Sequence, residues 1–296
     1  MSGIEVKDAG GSRVQLVEVD GIRVCNFDRS PEEEGEIIKN LKTFTCRDDD
    51  VFILAPVKSG THWVWEISSM LMTSQAVTMP DNKSRFMLEH QTVPDLEIVN
   101  SPRILNSHLD IKHLPPQIFE KRLKIIHVLR NPKDVMVSFY NHVKGIRCYG
   151  YNGQWNDFFK LFLQNELDYG SWFSYIKDWE KYIKDNPLHP IHIVYYEDLH
   201  KNSLNEIKRL GEFLGKSPSD NLVSQISQKC QFKNMYKDKM YPEDVRKQVF
   251  KGDFTMYRKG KVGDWKNWFT VKQNEEFDEI YQQEMSDTSL RFQYDL

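Results

Sequence analysis

The chain lacks any run of about eighteen apolar residues, the length a membrane helix needs, so no membrane span is expected. Its first residues, MSGIEVKDAGG, lack the apolar core of a secretion signal, which leads us to expect a cytoplasmic protein. Cysteine is scarce. Cys25, Cys46, Cys148 and Cys230 are widely spaced with no Cys-x-x-Cys pair, which argues for reduced thiols rather than a disulfide framework. No His/Cys cluster has zinc-like spacing, so no metal is expected. There is no excess of positive charge either: 40 basic against 43 acidic residues leave −3, which argues against general affinity for nucleic acid. Internal repeats and low-complexity segments are also missing. What remains is 40% apolar and 12% aromatic residues in 296 positions, enough for one large α/β domain or two small ones.

The most informative stretch is VFILAPVKSGTHW, residues 51–63. Its apolar start, ended by Pro56, reads as a strand buried on both faces. A polar turn follows, then a helix over residues 63–72. Strand, tight turn and helix together gather unpaired backbone N–H groups at a helix N-terminus. Gly60 permits close backbone approach, Lys58 adds a mobile charge, and Ser59 and Thr61 add hydroxyl donors. The site suits a polyoxygen anion such as phosphate, although an ordinary βα turn with a surface lysine has the same outline. It is not a nucleotide-binding P-loop, because the lysine precedes the glycine and no upstream glycine exists.

Residues 1–12 read as loose, and residues 13–27 as a hairpin about Asp20-Gly21. A helix opens at Ser30-Pro31 and runs to about Leu41. Residues 47–50 form a charged turn, and residues 78–100 an irregular excursion where acceptor-binding loops belong. Further short strands are expected at 103–107, 124–129 and 191–196. Asn131-Pro132 starts another helix, with Asp134 in its first turn. Helices follow over 203–214 and 221–228, and a last one over 273–285. Strands alternating with helices predict a doubly wound parallel sheet with ligands beyond the strand carboxyl ends. Lys58, His108 and Arg130 all fall there.

Three blocks in this order resemble the cytosolic sulfotransferase family: the Lys58 turn, the segment from Arg130-Asn131-Pro132-Lys133-Asp134 to Ser138, and Arg258-Lys259-Gly260 with Gly263-Asp264-Trp265-Lys266. The resemblance implies a single α/β domain over residues 1–296, with a mostly parallel central sheet flanked by helices and a P-loop-like phosphosulfate loop. It implies a donor, 3′-phosphoadenosine 5′-phosphosulfate (PAPS), that leaves as PAP. The acceptor would be a hydroxyl or amine of a small molecule such as a phenol, steroid or alcohol, with no metal required. It assigns the 5′-phosphate to Ser59, Gly60, Thr61 and the backbone of His62, and the oxygen between phosphate and sulfate to Lys58. The 3′-phosphate falls to Arg130, Ser138, Arg258, Lys259 and Gly260. Trp63, Tyr196, Cys230, Phe232 and Met256 would line the adenosine.

By the same resemblance His108 is the general base, and Lys58, Ser138 and Asn106 share the catalytic centre. A lysine usually stands two residues before the family histidine. Asn106 is there instead, able to donate a hydrogen bond to the sulfuryl group but bringing no charge. The acceptor pocket would draw on Phe27, Met87, His90, His108, His142 and Tyr169, with residues 236–251 as a lid. Met87, His90 and His142 replace common phenylalanines, so a more polar pocket is expected. Residues 266–275 match the family's KxxxTVxxxE segment, implying a homodimer centred on Val271. Competing readings are a small-molecule kinase and a nucleotide-binding protein of the same fold with weak catalysis.

Overall fold

The structure is a computed structural model that describes residues 2–27 and 29–296. Strands β1 (Ser2–Lys7), β2 (Arg13–Val19) and β3 (Ile22–Val24) form an antiparallel sheet in that order. Residues 1–12 were expected to be loose; instead β1 pairs along β2 from Ser2↔Glu18 to Lys7↔Arg13. The hairpin of β2 and β3 turns at Asp20 and Gly21, both at positive φ. Helix α1 (Pro31–Asn40) starts with a reciprocal Ser30–Glu33 capping box, as Ser-Pro followed by acids predicts.

The main sheet contains β4 (Val51–Leu54), β5 (Ile104–Ser107), β6 (Lys124–Leu129) and β7 (Ile191–Tyr195), all parallel, in the order β5-β4-β6-β7. Tyr196, expected to end the last strand, begins a helix instead. Successive side chains of β4 leave on opposite faces. Val51 and Ile53 pack with α2 (Thr61–Thr73), while Phe52 and Leu54 belong to the larger core on the other side. Each such side chain removed from water contributes about 1.5–3 kcal/mol. Two short helices, α3 (Val93–Glu97) and α4 (Gln117–Glu120), sit in the connections flanking β5. The second face carries α5 (Pro132–Gly145), α6 (Trp155–Leu163) and α7 (Trp172–Asp185). Beyond β7 come α8 (Tyr196–Lys201), α9 (Ser203–Phe213) and α10 (Asp220–Lys229). They are followed by α11 (Phe232–Asp238), α12 (Glu243–Val249) and α13 (Val271–Glu284). Helices α9 and α10 pack with α2.

The 47–50 turn is less exposed than its charge suggested. Asp50 is buried and accepts from Arg103 Nε at 2.7 Å and Nη2 at 2.5 Å, pinning the entry ends of β4 and β5. All four cysteines are buried and free.

Candidate active site

In the order β5-β4-β6-β7 the chain reverses direction at β4, which makes the carboxyl end of β4 the switch point where a crevice opens. Four strand ends deliver Lys58, His108, Arg130 and Tyr196 there. They meet at a cavity of about 380 Å³.

The turn after β4 is built around Gly60, at φ +101°. An added Cβ would stand 2.5 Å from the Tyr196 ring, so both conformation and space demand glycine. Lys58, expected to be mobile, is half-buried with its Nζ 3.2 Å from His142 Nδ1. His142 therefore anchors the lysine as well as lining the cavity. Arg130 donates to Lys58 O at 3.1 Å and Lys261 O at 3.3 Å, and lies 4.2 Å over the Tyr196 ring. The buried Ser59 Oγ, Trp63 Nε1 and Arg130 Nε have no hydrogen-bond partner among the described residues. Orphaned donors clustered at a helix N-terminus fit a phosphate-bearing ligand.

The C-terminal block closes the opposite wall. Asp134 accepts from the backbone N–H groups of Gly263 at 2.8 Å and Trp265 at 2.9 Å, while Asn131 caps its helix. The sequence suggested only a dipole role for Asp134; the structure adds a strap across 131 residues of chain. Asp264 accepts from Arg258 at 2.6 Å and Lys259 at 2.7 Å. Burial opposes ionisation of Asp264, but the hydrogen bonds from Lys259, Asn267 and Arg258 outweigh it and hold the carboxyl at about 2. Thr61, His62, Ser138 and Met256 line the cavity between these walls. Trp63 meets Tyr196 edge-on at 5.6 Å, and the Phe232 ring covers Gly260. Cys230 borders the cavity, but its Sγ packs against Met70 Sδ at 3.9 Å.

His108 is fixed from two sides. Glu89 accepts its backbone N–H at 2.7 Å, and Nδ1 lies 2.9 Å from Ala55 O. A carbonyl can only accept, so Nδ1 carries the proton and Nε2 keeps a free lone pair. Burial, then the charge of Lys83, push this imidazole well below its ordinary value; the Ala55 hydrogen bond opposes the shift and Lys58 adds to it. Phe27 packs on His90 at 3.7 Å and Tyr169 meets His108 edge-on at 5.6 Å, with Met87 beside them. From the expected lid, Tyr241, Val249 and Phe250 reach the cavity.

Asn106 is fully buried behind the wall, and both ends of its amide are engaged by Lys83, at 2.7 and 3.0 Å. One of its two N–H donors is thereby engaged. Lys83 and Glu89 were missed by sequence reasoning. Both lie in the non-periodic excursion between β4 and β5, where no spacing signal marks them.

A parallel sheet whose switch point carries a glycine-lysine turn, orphaned donors and a neutral imidazole defines an α/β protein equipped to hold a phosphorylated group donor beside a base. The sulfotransferase domain model matches residues 48–289, and the chain belongs to the sulfotransferase family. Human sulfotransferase 1C2 is 32% identical, with 95% of this chain and 96% of that protein covered. Bovine sulfotransferase 1E1 is 37% identical over 87% of this chain and 90% of that protein. The solved structure of mouse sulfotransferase SULT7A1 complexed with PAP is 28% identical, covers 92% of this chain and 96% of its own, and superposes with a TM-score of 0.75. The chain is thus a PAPS-dependent sulfotransferase acting on small molecules. Among the described residues no helix is long and apolar enough to cross a membrane.

The electrostatics give one consequence at once. Burial, then the charges of Lys83, Arg130 and Arg258, push Lys58 down to about 7. A polyanion beside Lys58 favours its charged form and raises that value again. PAP binding just above pH 7 is therefore expected to take up protons, and affinity should fall as pH rises through 7. Calorimetric heats measured in buffers of different ionisation enthalpy report the uptake, and Lys58→Met should remove the Lys58 share.

Proposed function

We propose that the whole chain, residues 1–296, acts as one sulfotransferase domain with His108 as general base. The observation that carries this reading is the free Nε2 of His108 facing the cavity that Lys58 and Arg130 also border. Trp63, Tyr196 and Phe232 hold the adenine. Arg130, Ser138, Arg258, Lys259 and Gly260 hold the 3′-phosphate, and Ser59, Gly60, Thr61 and His62 the 5′-phosphate. Bound PAPS supplies the activated sulfuryl group. His108 Nε2 takes the acceptor proton as the acceptor oxygen or nitrogen bonds to sulfur. The bond from sulfur to the bridging oxygen breaks, and Lys58 neutralises the electron pair left on that oxygen. Positioning and charge carry the reaction, as in phosphoryl transfer.

Met87, His90 and His142 give the acceptor side its polar character, which favours polyhydroxylated acceptors over plain apolar phenols. A panel of phenols, steroids, alcohols and amines, assayed with PAPS with and without a chelator, tests this reading. Absence of transfer to every acceptor, or a preference for apolar phenols, contradicts the corresponding part.

The same reading places the enzyme in the cytoplasm as a homodimer through residues 266–275. Val271, at the first turn of α13, is 77% exposed, an unusual position for valine without a partner. Lys266 pairs with Asp295 in its own chain at 2.6 Å, so the contact would rest mainly on Val271. Val271→Glu is expected to sediment as a monomer while keeping its activity; sedimentation at unchanged mass removes the case.

A further inference from the structure

Among the described residues Lys83 is a buried cation with no carboxylate in ion-pair contact. It is 4% exposed and borders the same cavity as His108. Its Nζ donates to Asn106 Oδ1 at 2.7 Å and lies 3.7 Å from Met87 Sδ; among the described residues it forms no ion pair. An ammonium can only donate, so the Asn106 oxygen must face it, and the Asn106 Nδ2 then returns a hydrogen bond to Lys83 O at 3.0 Å. The pair is locked in both directions. Glu89, the carboxyl whose charge acts on Lys83, is already engaged by the His108 backbone.

A buried ammonium without an anion is costly, and a wall residue in that state is arranged for an anion that arrives with the ligand. Its position narrows the choice. Lys83 lines one cavity with His108, His62 and Lys58, and is the leading positive charge acting on each of them. That is where negative charge gathers during sulfuryl transfer. Asn106 occupies the strand position at which the family resemblance places a lysine.

We infer that Lys83 is a catalytic residue whose ammonium contacts the sulfuryl oxygens during transfer, and that Asn106 is the positioning residue that holds it there. The inference rests on the sulfotransferase reading. Charge that relatives would bring from the end of β5 arrives here from the turn Lys83–Phe86, with Asn106 as its tether.

The test moves the charge. Lys83→Met is expected to lower kcat with PAPS and nitrophenol by about 10²-fold, while the affinity for PAP, which has no sulfuryl group, changes far less. Asn106→Lys alone sets two ammonium groups against each other and should gain nothing. The double change Lys83→Met with Asn106→Lys restores a cation from the strand and should recover at least about tenfold of the lost kcat, which a purely structural role would not do. Wild-type kcat in Lys83→Met overturns the inference. So does a loss that the double variant fails to recover, or one confined to anionic acceptors, which would make Lys83 an acceptor-reading residue. Unmodified protein that binds PAP yet transfers nothing would count against the sulfotransferase reading and the inference together; an active wild type with an indifferent Lys83 counts against the inference alone.

Discussion

Removing the imidazole by His108→Ala is expected to cut kcat by about 10²–10⁴-fold and leave PAP affinity essentially unchanged. The asymmetry follows from the geometry. On the proposed reading His108 faces the acceptor, beside Tyr169 and Met87, whereas the donors assigned to phosphate sit on the turn after β4 and on α5. His108 Nδ1 donates to Ala55 O, so the proton acceptor is already in the required tautomer before any ligand enters. Burial and the charges of Lys83 and Lys58 keep the ring neutral well below pH 6.5, with only the Ala55 hydrogen bond resisting. The acid limb of kcat/KM should therefore lie well below pH 6.5: activity persists as pH falls, until the depressed value is crossed and the base is lost. A pH–rate profile of wild type checks this directly. Stopped turnover combined with normal PAP titration and an unchanged melting temperature identifies the base. An active His108→Ala enzyme removes it from the mechanism.

Much of this site was legible because its chemistry sits at places the chain marks clearly. Short apolar runs ended by Pro56, by His108 and by Arg130-Asn131-Pro132 announced parallel strands whose ends border one cavity. The capped starts at Ser30 and Asn131 also appear as read, while the last helix, expected from 273, begins at Val271 with Thr270 as its cap. Other elements gave weaker signals. Strand β1 carries only a short alternation, Ile4-Glu5-Val6-Lys7, with no residue fully buried, and its pairing with β2 replaces the expected loose end. Helix α6 did carry a signal: Trp155, Phe158, Phe159 and Phe162 repeat at helical spacing, and three of the four are buried. Helix α7 repeats it with Trp172, Phe173, Ile176 and Trp179. What no local pattern could reveal is pairing across distance. Asp134 meets Gly263, Glu89 meets His108, and Lys83 meets Asn106, each through a fold that must exist before the partners are neighbours.

Gly60→Ala should weaken PAP binding by about 10²–10³-fold, because one methyl group disturbs three segments at once. The first cost is conformational: an alanine at φ +101° is strained by about 1–3 kcal/mol. The second is steric, since the new Cβ stands 2.5 Å from Tyr196 Cδ2 and one side must move. If Tyr196 moves, Arg130 loses the ring beneath its guanidinium, and with it the register that joins Lys58 O to Lys261 O. If the turn moves, Lys58 and the orphaned Ser59 hydroxyl leave the helix N-terminus. Either route separates the two walls to which the proposed reading assigns the donor. Gly11→Ala supplies the control, because Gly11 also has positive φ, at +86°, yet nothing lies within 4 Å of its added Cβ. It should lower the melting temperature through strain alone and bind PAP normally. Comparing the two by calorimetric titration and thermal melting separates strain from obstruction, and equal PAP affinity in both would show that the turn after β4 is not where the donor is held.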